Sequence, residues 1–119
     1  MKLLVCGSRS WSSKQHGTRI YTVLDALNAE FEELEILQGL AAGADEWALQ
    51  WATDRGVRSL GFPAEWERHG KRAGILRNLH MLDHEPDLVI AFWDGRSRGT
   101  KHTINEASKR GIPTRIVSQ

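Results

Sequence analysis

Short apolar runs alternate with amphipathic helical stripes along the whole chain, and this alternation predicts the fold. Residues 3–6 form an uninterrupted apolar run that stops at Gly7 and reads as a buried strand. Over residues 18–31, Ile20, Val23, Leu24, Leu27 and Phe31 fall on one side of a helix. A second strand over 34–38 ends at Gly39. A second helix over 44–55 places Ala44, Trp47, Ala48, Trp51 and Ala52 on one face, with Gly56 as its C-terminal stop. A third strand over 57–62 ends at Pro63, and Ile75, Leu76, Leu79 and Leu82 mark a helix that finishes before Pro86. Residues 87–93 form the most apolar strand, a helix over about 100–110 stops at Gly111, and 114–117 is the last strand.

Strict alternation of strand and helix requires right-handed crossovers and a parallel sheet covered on both faces. The expected fold is therefore α/β: a three-layer Rossmann-like sandwich with a five-stranded parallel sheet of order 3-2-1-4-5, built as one domain over residues 1–119. Ligands of such sheets bind beyond the carboxyl ends of the strands where the order reverses, here between the first and fourth strands.

Composition narrows the partners. The chain sets 16 Lys and Arg against 15 Asp and Glu, so it lacks the basic excess that supplies most non-specific affinity for nucleic acid. Nucleic acid is accordingly not an expected partner. A single cysteine, Cys6, excludes an intrachain disulfide and a cysteine-based zinc cage and fits a reducing compartment. No run is long enough for a signal-peptide core or a membrane span, so a cytoplasmic location without membrane contact is expected. Neither a metal nor a cofactor is expected: Asp94 has no second carboxylate at ligand spacing, and His80 and His84 lack the intervening glutamate of a zinc helix.

Three glycine-bearing turns follow predicted strands, and parallel topology carries all three to the same sheet edge. They are Gly7-Ser8-Arg9-Ser10-Trp11, Gly39-Leu40-Ala41-Ala42-Gly43 and Gly95-Arg96-Ser97-Arg98-Gly99-Thr100. Glycines let backbone amides approach a phosphate, and a helix N-terminus adds free N–H donors and a favourable dipole. Arg9, Arg96 and Arg98 can add charge-assisted contacts, and Ser8, Ser10, Ser97 and Thr100 hydroxyl donors. Each turn alone is equally a plain tight connection; their convergence favours a phosphate- or ribose-bearing ligand. None is a Walker A loop or a GxGxxG fingerprint.

Single residues carry paired readings. Asp45 is either a dipole cap for its helix or a hydrogen-bond acceptor for a ribose hydroxyl or base. Asp94 either orients a ligand or starts a turn. Trp11 can stack on a base or pack at the rim, Trp93 less readily because it ends a central strand, while Trp47 and Trp51 read as core. Helical geometry sets Asn78 beside the apolar stripe and Arg77 nearly opposite, so Arg77 is expected to reach a site only from a partner subunit or a displaced helix start. Cys6 reads as a small core residue, and His102 either donates to a phosphate or is simply exposed. Residues 65–72, polar and including Trp66, read as a surface loop or a cover over the site.

Together these motifs resemble the SLOG superfamily, which includes the Lonely Guy phosphoribohydrolases and the nucleotide-binding part of DprA, and most of all its small YspA-like, cpYpsA-related branch. Leu4-Val5-Cys6-Gly7-Ser8-Arg9 is similar to the strand and Gly-Ser-Arg with which that branch opens. Gly39-Leu40-Ala41-Ala42-Gly43-Ala44-Asp45 resembles its Gly-Gly-Ala-x-Gly-Ala-Asp loop, with Leu40 in place of the second glycine. Arg77-Asn78 with Met81-Leu82 is similar to its Arg-Asn-x-x-Met-Leu helix, and residues 95–100 match its Gly-x-Ser-x-Gly-Thr loop. The resemblance implies a Rossmann-like fold, a site for a nucleotide or nucleotide-derived ligand such as an ADP-ribose-like molecule, and a homo-oligomer. In Lonely Guy enzymes a catalytic Glu follows three residues after the Thr; here that position is Thr103, and Glu106, one turn further, is the substitute candidate. Two main readings result: a binding module that senses or sequesters a nucleotide-derived ligand, and an N-glycosidic-bond hydrolase acting on nucleotides. Single-strand nucleic-acid binding by analogy with DprA is a third, against which the charge balance speaks.

Overall fold

The computed structural model describes residues 1–118. Strand β1 (Lys2–Gly7) lies at the centre of a sheet with β2 (Glu35–Gln38), β3 (Arg58–Gly61), β4 (Leu88–Phe92) and β5 (Thr114–Val117). All pairings are parallel and the order is β3-β2-β1-β4-β5, as the alternation of elements predicts. The β1–β4 register runs from Leu3 opposite Leu88 to Gly7 opposite Phe92, so the ends of both strands stand level at the switch point. Every residue of β4 is buried, as befits a central strand covered on both faces.

Successive side chains of β1 feed two cores. Leu3 and Val5 join Ile36, Ile90 and Phe92 under α1 (Lys14–Glu30) and α2 (Ala44–Arg55). Leu4 and Cys6 face the other way, with Leu37, Val89 and Ala91, under α4 (Ala73–Asp83) and α5 (Arg98–Lys109). Gly56 closes α2 in the left-handed conformation at φ 65°, which glycine adopts without a β-carbon penalty. No helix among the described residues is long and apolar enough to cross a membrane.

Helices α1 and α5 start earlier than their apolar stripes. Helix α1 begins at Lys14 because Ser13 caps it: the Ser13 hydroxyl accepts the His16 N–H at 3.2 Å, and His16 Nδ1 accepts the Ser13 N–H at 3.3 Å. Its first turn is polar and solvated, so hydrophobic periodicity does not register it. Helix α5 begins at Arg98 because Ser97 caps it, accepting the Thr100 N–H at 3.4 Å. Residues 65–72 are not a plain loop. They form the single-turn helix α3 (Trp66–His69) and a 3-10 turn (Gly70–Arg72) that runs into α4.

Candidate functional site

The three glycine turns meet at one rim of the sheet and are hydrogen-bonded to one another. The Ser8 N–H donates to Phe92 O at 2.9 Å, and Ser8 O accepts the N–H groups of Trp11 at 3.1 Å and Ala44 at 3.4 Å. A β-carbon on Gly7 would stand 2.5 Å from the Ala44 Cβ, and one on Gly43 would stand 2.6 Å from the carbonyl oxygens of Ser8 and Arg9. Gly43 also has φ +81°. The first two turns thus touch backbone to backbone, a packing that a side chain at either glycine would break.

Asp94 ties the third turn to the first. Its N–H donates to Ser8 Oγ at 3.0 Å, and its Oδ2 accepts the Ser10 hydroxyl at 2.8 Å. Its Oδ1 accepts the backbone N–H groups of Arg96 and Ser97, each at 2.8 Å. Those two N–H groups, with Ser10 behind them, hold its carboxyl well below the usual carboxylate range. With Gly95 at φ +80°, Asp94 shapes the turn that presents the start of α5, its Oδ1 committed to that turn and its Oδ2 to Ser10 of the first.

A cavity of about 470 Å³ opens between these turns and α4. Arg9, Asp45, Arg77, Asn78, Arg98 and Thr100 are among its walls. Lys71 from the 3-10 turn adds a fourth cation, against two carboxylates, Asp45 and Asp94. The amides of Arg98 and Gly99, first in α5, have no hydrogen-bond acceptor among the described residues, while the Thr100 amide is already taken by Ser97. A β-carbon on Gly99 would meet nothing within 4 Å, so the approach to this helix end is open.

Asp45 lies beneath the second turn and is 5% exposed. Its Oδ2 accepts the N–H groups of Gly39 at 3.1 Å and Ala41 at 3.2 Å, whereas its Oδ1 is buried with no partner. Burial pushes its carboxyl up to about 6, against the opposing pull of the Ala41 N–H, the Arg77 charge and the Gly39 N–H. Arg77 Nη1 donates to Gly39 O at 2.6 Å and its Nε to Asn78 Oδ1 at 2.9 Å; Asn78 Nδ2 donates to Gly99 O at 3.3 Å. This chain of contacts links the second turn, α4 and the start of α5. Desolvation lowers the Arg77 pKa, with the Asp45 charge opposing the shift.

Several expectations need correction. Arg77 reaches the cavity within its own chain, because α4 does not turn its Ile75, Leu76 and Leu79 stripe inward. Ile75 is 45% exposed, the buried face carries Ala73, Asn78, Met81 and Leu82, and Arg77, four residues from both Ala73 and Met81, lies on that covered side. Trp11 does not stack on a ligand. It is fully buried, because the first turn folds back through its N–H bond to Ser8 O, and its ring packs on Phe92 at 5.3 Å and His16 at 4.9 Å. Trp93 braces the third turn, donating from Nε1 to Ser97 O at 3.0 Å. Glu106 lies outside the cavity walls and pairs with Lys109 at 3.3 Å, whereas Thr103 is in the wall, buried, with its hydroxyl on Gly99 O at 3.3 Å. His102 also contributes to the wall. Two residues of the 65–72 segment stand at the site without having been singled out as ligand contacts: Lys71, and Trp66, 52% exposed at the cavity mouth. The signal for Trp66 was a large aromatic in an otherwise polar segment.

The fold and motifs have recognisable relatives. A family model described as YspA, cpYpsA-related SLOG family matches residues 1–69. The chain is similar to the Gene 61 protein of Mycobacterium phage D29, with 42% identity over 123 residues, 94% of this chain and 92% of that one. It also superposes on DNA processing protein A (DprA) from Streptococcus pneumoniae with a TM-score of 0.78 at 23% identity. That likeness covers 97% of this chain and 49% of DprA, so the chain spans about half the length of that protein. The chain belongs to the YspA, cpYpsA-related SLOG family.

Proposed function

We propose that residues 1–119 act as one SLOG domain that binds a nucleotide or nucleotide-derived ligand, mononucleotide or ADP-ribose-like, as a sensor or sequestering module. The observation that carries this reading is the start of α5: two unshared amides, an open face at Gly99, and the side chains of Arg98 and Arg9 on the same cavity. Amides at a helix N-terminus with adjacent guanidinium groups form a receptor for a phosphate. The uncommitted Asp45 Oδ1 supplies an acceptor for a ribose hydroxyl, with the first turn, Gly7 to Arg9, beside it.

The test is thermal stabilisation of the protein by a panel of mononucleotides and ADP-ribose, followed by product analysis. A shift without turnover is expected, and its loss in an Arg98→Ala, Thr100→Ala double variant; stabilisation that survives both changes would reject the phosphate site. A second reading, N-glycosidic cleavage, is favoured by Asp45 alone. A carboxyl pushed up to about 6 with one free oxygen is poised for general-acid work. Release of free base that disappears in Asp45→Asn would select it. We also propose a homo-oligomer, supported by Leu60 and Ile116, exposed on the edge strands β3 and β5; native mass spectrometry reads it directly. The buried free thiol of Cys6 supports a cytoplasmic location.

A further inference from the structure

We infer that a second chamber beside the phosphate cavity takes the ligand's nucleobase, held face-on against Trp66, and that it admits bases with little regard to their identity. The inference rests on the phosphate reading of the α5 end.

The chamber has about 350 Å³ and shares Arg9, Ala41, Trp66 and Arg77 with the larger cavity, so one ligand can occupy both. Its remaining side chains are apolar, with Leu40, Pro63 and Ala64 prominent. Leu40 and Trp66 are 49% and 52% exposed, a large apolar surface for two neighbouring positions at a cavity mouth. Neither is loosely placed. Leu40 has φ +57°, and its side chain lies where a β-carbon on Gly61 would come within 2.9 Å of it. The Trp66 indole lies along α4, 3.5 Å from where a β-carbon of Gly74 would stand. An indole face, two guanidinium planes and aliphatic walls suit a flat aromatic ring.

The same inventory explains why base identity would matter little. Reading a base edge needs fixed, unsatisfied donors and acceptors. In the turn that floors this chamber three of the four amides from Gly39 to Ala42 are spent, Gly39 and Ala41 on Asp45 and Leu40 on Gln38 Oε1 at 2.7 Å, and the Gly39 carbonyl is taken by Arg77. The side-chain walls offer apolar surface and guanidinium planes, which favour stacking, and every base offers a face for that.

The experiment compares AMP, GMP and ribose 5-phosphate by calorimetry on the wild type, Trp66→Ala and Trp66→Phe. AMP and GMP are expected to bind within about three-fold of each other and at least about ten-fold more tightly than ribose 5-phosphate. Trp66→Ala is expected to erase that advantage, bringing AMP and GMP to the affinity the same variant has for ribose 5-phosphate, with a thermal melt reporting an intact fold; Trp66→Phe is expected to keep most of it. Equal binding of AMP and ribose 5-phosphate, an advantage that survives Trp66→Ala, or a strong preference between AMP and GMP would each overturn the inference. If none of the three binds the wild type, the phosphate site falls and this chamber's role with it.

Discussion

The Arg77 guanidinium occupies the space that a β-carbon on Gly39 would need: that carbon would stand 2.5 Å from Nη1. The obstacle is the tip of a flexible side chain, so Gly39→Ala is expected to displace Arg77 rather than the backbone. The melting temperature should then stay within about 3 °C of the wild type, a change of less than about 1 kcal/mol for a domain of this size. Nucleotide affinity should nevertheless fall about ten-fold as a cation leaves the cavity wall. Calorimetry beside a thermal melt separates the two effects, and a collapse of the fold with affinity unchanged in the remainder would contradict the assignment.

Gly43 presents the opposite case. At φ +81° its missing β-carbon would meet the carbonyl oxygens of Ser8 and Arg9, both backbone, at 2.6 Å. Gly43→Ala is expected to cost at least about 2 kcal/mol, from backbone strain and the forced separation of two turns. Urea denaturation measures it, and a loss below about 1 kcal/mol would show that the turns can part freely.

Asp45 gives the fold a pH dependence of unusual sign for a carboxylate. It titrates near 4 in an unfolded chain and at about 6 in the fold, so between these values the folded state holds more protons. Its contribution to stability is most favourable below pH 4 and declines as pH rises through 6, by about 3 kcal/mol in all. Asn at this position keeps an acceptor for the Gly39 and Ala41 amides and cannot ionise. The stability difference between wild type and Asp45→Asn, followed by denaturant titration from pH 4 to 8, is expected to shift in favour of the variant as pH rises. The variant should also lose ligand affinity, because a donor replaces the buried, unpartnered acceptor behind the cavity wall.

Away from the site, Asp25 holds α1 to α2. Its Oδ1 accepts Trp51 Nε1 and Arg55 Nε, each at 2.8 Å, and its Oδ2 accepts Arg55 Nη2 at 3.1 Å. The Arg55 pair is solvent-exposed and contributes little, whereas Trp51 is fully buried and has its indole N–H satisfied only here. Asp25→Ala is expected to destabilise by roughly 1–3 kcal/mol, mostly through the orphaned indole, and Asp25→Asn by less. Chemical denaturation of the two variants tests the ranking.

Strand order and the gathering of three turns on one edge were legible because buried strands and glycine stops leave a strong linear signal. Asp94 and Ser97 could be placed at the rim from sequence, but not the hydrogen bonds that commit them to the turn. Trp11 misled because a turn's backbone decides whether the next side chain swings in or out, and that depends on a contact with Phe92 some 80 positions away in the chain. Arg77 misled for a different reason. Ile75, Leu76 and Leu79 pointed to the wrong inward face of α4: in the fold Ile75 is 45% exposed, and Ala73, Asn78, Met81 and Leu82 are buried with Arg77 beside them. Trp66 was invisible to periodicity, since a single-turn helix is too short to have any.

The joints at Gly7, Gly43 and Ser8 make most of the pocket floor a single rigid casting, in which no turn can shift without its neighbours. Adaptation to a new metabolite would then fall to the stretch from Pro63 to Arg72, which forms a wall without threading the sheet. Relatives that have diverged in what they recognise should carry their substitutions there, and grafting that stretch between two of them should move the preference with it.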